Sequence, residues 1–230
     1  MTSHFSIAGL QLALPCGNNI DVIEQEIRAT KKRFPWVDMI VLSELCTFGP
    51  EKKYAEPLPS QTERKYAQIA EELDVWLIPG SLYEQAGDET FNTTSVINNQ
   101  GEIIARYRKI YPFLPYEKGV SAGNEFIVFD VPQGRIGVAI CYDLWFPEVA
   151  RELASRGAEV LIYPTLTGTI DRSIEITMAK ATAAFNQCYV VAVNGLGDYG
   201  LGQSVMAAPD GETIYQAGNT REIIPIEIDF

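Results

Sequence analysis

Short apolar runs of strand length alternate with amphipathic helical stretches along this chain, and that alternation confines it to an α/β fold. The runs at 5–12, 39–42, 76–82, 126–131, 135–140, 160–163 and 189–193 have the apolar content of buried strands. Between them, 19–34, 61–73, 147–156 and 171–186 place apolar residues at helical spacing. Pro147 at the first turn of the third helix and Gly157 just past its last turn mark its start and stop. Two segments read as hairpins: 94–97 with 103–107 around Asn98-Asn99-Gln100-Gly101, and 204–208 with 213–215 around Pro209-Asp210-Gly211-Glu212. With no internal repeat, low-complexity tract or linker, residues 1–230 are expected to form a single domain.

Composition excludes several kinds of function. The chain has 230 residues, 30 acidic and 18 basic, for a formal charge of -12. Such a surface does not attract a phosphate backbone or an anionic bilayer, so neither nucleic acid nor membrane is an expected partner. The opening run at 5–16 lacks a basic lead and is interrupted by Gln11, and no run approaches a membrane span. A cytoplasmic location is the expectation. Cys16, Cys46, Cys141 and Cys188 are far apart and form no C-x-x-C pair, which favours free thiols over zinc or a disulfide framework. The single histidine, His4, stands at the amino terminus. No internal imidazole is left for a Ser-His-Asp or Cys-His site, or for a metal held by several histidines. No metal or cofactor is therefore expected, and any chemistry has to run on carboxylates, lysines, tyrosines or thiols.

Four residues carry that chemistry best. Cys141 follows the apolar run 135–140 and precedes Tyr142-Asp143-Leu144-Trp145-Phe146-Pro147-Glu148, which opens a helix. A thiol at such a junction meets backbone N–H groups that stabilise a thiolate or an oxyanion. The ordinary reading of a free cysteine is a small buried hydrophobe, and the other three fit it better than Cys141 does. Glu44 ends the strand run 39–42 through Ser43, where a carboxylate is either a solvated loop acid or a desolvated general base. Lys109 and Glu117 lie in the aromatic and proline-rich segment 106–119. There Lys109 is either part of a solvated charge cluster with Arg106 and Arg108, or a fixed cation placed for an oxyanion.

Their order along the chain is informative: Ser43-Glu44, then Arg108-Lys109-x-x-Pro112-Phe113, then Cys141-Tyr142-Asp143-Leu144-x-Phe146-Pro147-Glu148. Lys109 precedes Glu117 by 8 positions and Cys141 by 32. This pattern resembles the nitrilase superfamily of carbon–nitrogen hydrolases, and Met178-Ala179-Lys180-Ala181 with Asn186-Gln187-Cys188-Tyr189-Val190 resembles its aliphatic amidase branch. The resemblance implies a four-layer α-β-β-α sandwich, a Glu44–Lys109–Cys141 triad supported by Glu117, and pairing of two copies through outer helices. Ser43 stands where members often carry proline. The chain ends at Ile226-Glu227-Ile228-Asp229-Phe230, where members continue into a tail, so a domain without that tail is expected.

The implied reaction is hydrolysis of a small amide or nitrile. Cys141 attacks, Glu44 moves the proton, and Lys109 with the backbone N–H of Tyr142 holds the oxyanion. Tyr116, Trp145 and Thr165 are the expected substrate contacts, from segments that flank the site. A nitrile or an N-carbamoyl substrate is an alternative on the same triad; the latter needs a cation for its carboxylate, and Arg172 is the candidate. A non-catalytic binding or scaffold protein on this fold is the alternative of another class. Gly195-Leu196-Gly197-Asp198-Tyr199-Gly200 fits G-x-G-x-x-G, but the expected strand at 203–208 follows it rather than a helix. It reads as a loop near the site and not as a nucleotide cradle.

Overall fold

The structure is a computed structural model and describes residues 4–230. Thirteen strands and four α-helices run through the described residues. Strand β1 (His4–Gln11) leads through helix α1 (Ile20–Arg33) to β2 (Met39–Leu42), and α2 (Gln61–Leu73) leads on to β3 (Trp76–Ile78). These three strands are parallel. The antiparallel strands β4 (Leu82–Ala86), β5 (Glu89–Ile97) and β6 (Ile103–Arg108) extend the sheet on one side. On the other side β13 (Glu222–Asp229) pairs with β1.

A second sheet holds β7 (Ile127–Val131), β8 (Gly134–Val138), β9 (Val160–Thr165), β10 (Tyr189–Asn194), β11 (Val205–Ala207) and β12 (Thr213–Gln216). Helix α3 (Pro147–Ser155) connects β8 to β9, and α4 (Arg172–Asn186) connects β9 to β10, so these three strands are parallel too.

Strand alternation sorts the side chains into layers. Phe5, Ile7, Met39, Val41 and Ile78 join the cluster that includes the second sheet. Their alternates Ala8, Leu10, Ile40, Leu42 and Leu77 pack with Ile23 and Ile27 of α1 and Tyr66 and Ile69 of α2. In the second sheet Val160, Leu161, Ile162 and Tyr163 are all buried, in one cluster with Val149 and Leu153 of α3 and Ile176 and Ala179 of α4. Burial on both faces of each central sheet gives the expected α-β-β-α sandwich.

Most expected elements sit where the pattern put them, with instructive differences. The run 76–82 breaks after Ile78, because Pro79-Gly80-Ser81 turns the chain into β4. The run 135–140 leaves the sheet at Val138, and Ala139 and Ile140 lead into the turn that presents Cys141. The β4–β5 hairpin and β13 were not expected. Strand β13 buries Ile224, Ile226 and Ile228 in alternation and tolerates Pro225 because β1 is its only neighbouring strand among the described residues.

The sheets approach closely at Gly9. A Cβ there would stand 2.7 Å from Met206 Cε and 2.9 Å from Val193 Cγ2. Gly9→Ala is expected to cost about 1–3 kcal/mol through overpacking. An unfolding midpoint in guanidinium unchanged from the parent would show that Met206 yields without cost.

Candidate active site

Three of the expected residues arrive from the ends of different elements. Glu44 lies two residues past the carboxyl end of β2, Lys109 one residue past β6, and Cys141 three residues past β8. The carboxyl end of parallel strands is where α/β folds place ligands. Backbone hydrogen bonds link the halves here, from Glu44 N–H to the Thr165 carbonyl at the end of β9, 3.2 Å, and from Leu196 N–H to the Leu12 carbonyl, 2.9 Å. Gly80 permits the turn around Glu44: its φ is +73°, and a Cβ would stand 1.9 Å from the Ser43 carbonyl oxygen.

Lys109 is the centre of the cluster. It is 1% exposed, and its Nζ donates to Glu44 Oε1 at 2.7 Å and to Glu117 Oε2 at 2.6 Å. Asn92 of β5 bridges the same two carboxylates, its Nδ2 donating to Glu44 Oε1 and to Glu117 Oε1 at 2.8 Å each. The Phe113 N–H completes the set on Glu117 Oε2 at 2.6 Å. Burial works against the ammonium, but Glu44, Cys141 and Glu117 outweigh it and hold the Lys109 pKa well above the lysine range. Burial pushes the Glu44 pKa up, and Glu117 adds to this while Lys109 opposes it. A carboxylate tuned upward in this way suits proton transfer near neutrality.

Cys141 opens a 3₁₀ turn, Cys141–Trp145, with φ at +45°. That left-handed conformation is strained for a residue with a Cβ and persists only where the surroundings fix it. Asp143 does the fixing. Its buried carboxylate accepts from Ile140 N–H at 2.9 Å, Tyr111 N–H at 2.9 Å and the Tyr107 hydroxyl at 2.7 Å. The thiol is 6% exposed and lies 3.8 Å from Thr167 Oγ1. Burial raises its pKa well above the cysteine range and Glu44 raises it further, while Lys109 and the Leu166 N–H favour the thiolate. Glu44 and the thiol line the same cavity.

Glu44, Lys109, Cys141 and Glu117 all line one cavity of about 280 Å³, with Tyr116, Phe113, Tyr83, Asp198 and Tyr199 among its other walls. The sequence model of the carbon-nitrogen hydrolase family matches residues 9–230. The chain belongs to this family. Human (Homo sapiens) omega-amidase NIT2 is 32% identical over 195 residues, covering 77% of this chain and 70% of that protein. Saccharomyces cerevisiae Nit3, a member of branch 10 of the nitrilase superfamily, superposes with a TM-score of 0.91 at 27% identity, over 98% of this chain and 90% of that one. The carbon-nitrogen hydrolase from Helicobacter pylori G27 gives 0.90 at 26% identity, over 99% and 90%.

In this carbon–nitrogen hydrolase the expected substrate contacts divide. Tyr116 stands at the cavity, 73% exposed, stacked on Phe113 at 5.2 Å between ring centroids. Thr165 and Trp145 do not line the cavity. The Thr165 hydroxyl donates to the Val193 carbonyl at 3.1 Å, because its strand position turns it into the second sheet. Trp145 donates from Nε1 to Glu175 Oε1 at 3.2 Å and borders a groove between α3 and α4. Arg172 is buried on Glu175 Oε2 at 3.1 Å and the Gln203 carbonyl at 2.8 Å. The glycine-rich segment 195–200 is a loop, as expected, and brings Asp198 and Tyr199 to the cavity.

Three supporting residues escaped the sequence reading: Asn92, Asp143 and Asn194. Asn194 accepts from Thr167 N–H at 2.8 Å and donates to the Thr167 carbonyl at 3.1 Å, which fixes the threonine beside the thiol. The available signal was a polar side chain inside or next to an apolar run. Asp143→Ala leaves three donors around the nucleophile turn without an acceptor and is expected to lower stability by roughly 3 kcal/mol. Tyr107→Phe, which removes one of the three, should cost about 1 kcal/mol. Equal denaturation midpoints for Asp143→Ala and the parent would remove Asp143 from this role.

Proposed function

We propose that this enzyme hydrolyses a small carboxamide to the acid and ammonia through a thioester on Cys141. The observation that carries the reading is the Lys109 ammonium held between Glu44 and Glu117 beside the Cys141 thiol, at one cavity. Glu44 takes the thiol proton as sulfur attacks the carbonyl carbon. The Lys109 ammonium and the Tyr142 N–H hold the resulting oxyanion; the first N–H groups of a helical turn have no partner within the turn. Glu44 returns the proton to the leaving nitrogen, the C–N bond breaks, and ammonia departs. Water then attacks the thioester and gives its proton to Glu44. The C–S bond breaks, the acid leaves, and Glu44 reprotonates the thiolate. Glu117 and Asn92 act as positioning residues for Lys109 and Glu44.

Several features support the setting of this reaction. Family similarity over 9–230 supports a single hydrolase domain for residues 1–230. The cysteines at 16, 46, 141 and 188 are free, which suits the cytoplasm, and no helix among the described residues is long and apolar enough to cross a membrane. The apolar groove between α3 and α4, with Phe185 75% exposed at its edge, supports a homodimer formed through these helices.

Ammonia release from primary amides tests the reading. Cys141→Ala should abolish it, and Lys109→Ala should lower kcat by on the order of 10²–10³. Because Glu44 must be ionised to act as base, kcat/KM should fall on the acid side with a midpoint above the ordinary carboxyl value of 4.5. Near-normal turnover by Lys109→Ala, or an acid limb at or below 4.5, contradicts these roles.

A further inference from the structure

The charges that border the cavity are unequal. Three carboxylates stand there, from Glu44, Glu117 and Asp198, against the single ammonium of Lys109. Glu44 and Glu117 already engage that ammonium at 2.7 and 2.6 Å. Lys109 can therefore meet an oxyanion at the reacting carbon, but it cannot also neutralise a second anion further along the substrate. Arg172, the cation nearest in sequence to the cavity wall Gly168–Thr169, has its guanidinium on Glu175 and the Gln203 carbonyl. It is 1% exposed and is not part of the wall. Asp198 occupies the exposed loop that follows β10, and no cation pairs with it among the described residues. Beside Cys141 and Thr169, most of the remaining wall is apolar or aromatic, with Leu45, Pro50, Leu166 and Phe113.

We infer that this cavity selects small primary amides whose far end is cationic or uncharged and rejects those that carry a carboxylate, with Asp198 as one contributor beside the apolar wall and the Glu44 and Glu117 carboxylates. The inference rests on the amide-hydrolysing role proposed above and adds the charge class of the substrate. A carboxylate drawn into the cavity exchanges its water for apolar wall and for like charge on Asp198, Glu44 and Glu117. An ammonium at the same place meets Asp198, and an alkyl end simply displaces water from Leu45 and Leu166. The chain's formal charge of -12 acts in the same direction at longer range, since it slows the approach of anions.

Three primary amides of similar length separate the classes: 4-aminobutanamide, pentanamide and succinamate. The amine and the alkyl amide should each show a kcat/KM larger than that of succinamate by on the order of 10². Asp198→Asn should lower the ratio of 4-aminobutanamide to succinamate by about 3-fold, as an exposed charge would. Calorimetric binding of the same three to Cys141→Ala protein reads the charge order without turnover. If no amide is hydrolysed, the proposed reaction fails, while the binding order still judges the cavity. Equal binding of the three, tighter binding of succinamate, or no binding of the two favoured amides overturns the inference.

Discussion

The buried ammonium of Lys109 is the interaction on which this site depends. Two carboxylates and a cation removed from water are each costly, and their mutual short contacts offset that cost together with the donors that Asn92 and the Phe113 N–H supply. The contacts in turn fix where three separate pieces of chain end: the turn after β2, the end of β6, and the segment that carries Glu117. Asn92 closes the arrangement by giving both carboxylates a neutral donor. Breaking one side of a buried pair typically costs about 3–5 kcal/mol, so the positions of Glu44 and Lys109 are not independent.

The sandwich exists around this cluster in a definite sense. Glu44 belongs to the first sheet and Cys141 to the second, so the two reach each other only because the sheets pack face to face. Close approach at Gly9 and the Glu44-to-Thr165 backbone bond bring the two carboxyl ends together. Strain at Cys141 is held by Asp143, which reaches into the end of β6 through Tyr107 and to the following loop through Tyr111. Cys141, Glu44 and Lys109 thus share supports that run between the halves of the molecule.

Much of this was legible in the sequence. The strand at 39–42 and the helix at 61–73 have the bounds their hydrophobic patterns indicated, because their burial depends on periodicity alone. Glu44, Lys109 and Cys141 each stand just past a strand and Glu117 in the loop that follows β6, and the structure brings all four to one cavity. What escaped depends on partners distant in sequence. Strand β13 looks like a mixed tail until β1 supplies its ladder. Asn92 looks like a loop residue until β4 and β6 flank it. Thr165 and Trp145 stand outside the lining of that cavity, because which way a side chain points at the end of an element is set by its neighbours in space.

The most direct test of the account is the intact mass of the native protein after brief exposure to limiting iodoacetamide near neutral pH, with the labelled peptide mapped. Cys16 is the more exposed thiol, so simple access favours it over Cys141. We expect a single addition at Cys141, and a slower one in Glu44→Gln protein, because the adjacent base generates the reactive thiolate. First labelling at Cys16, or equal slow labelling of all the cysteines, would contradict the assignment of Cys141 as an activated nucleophile.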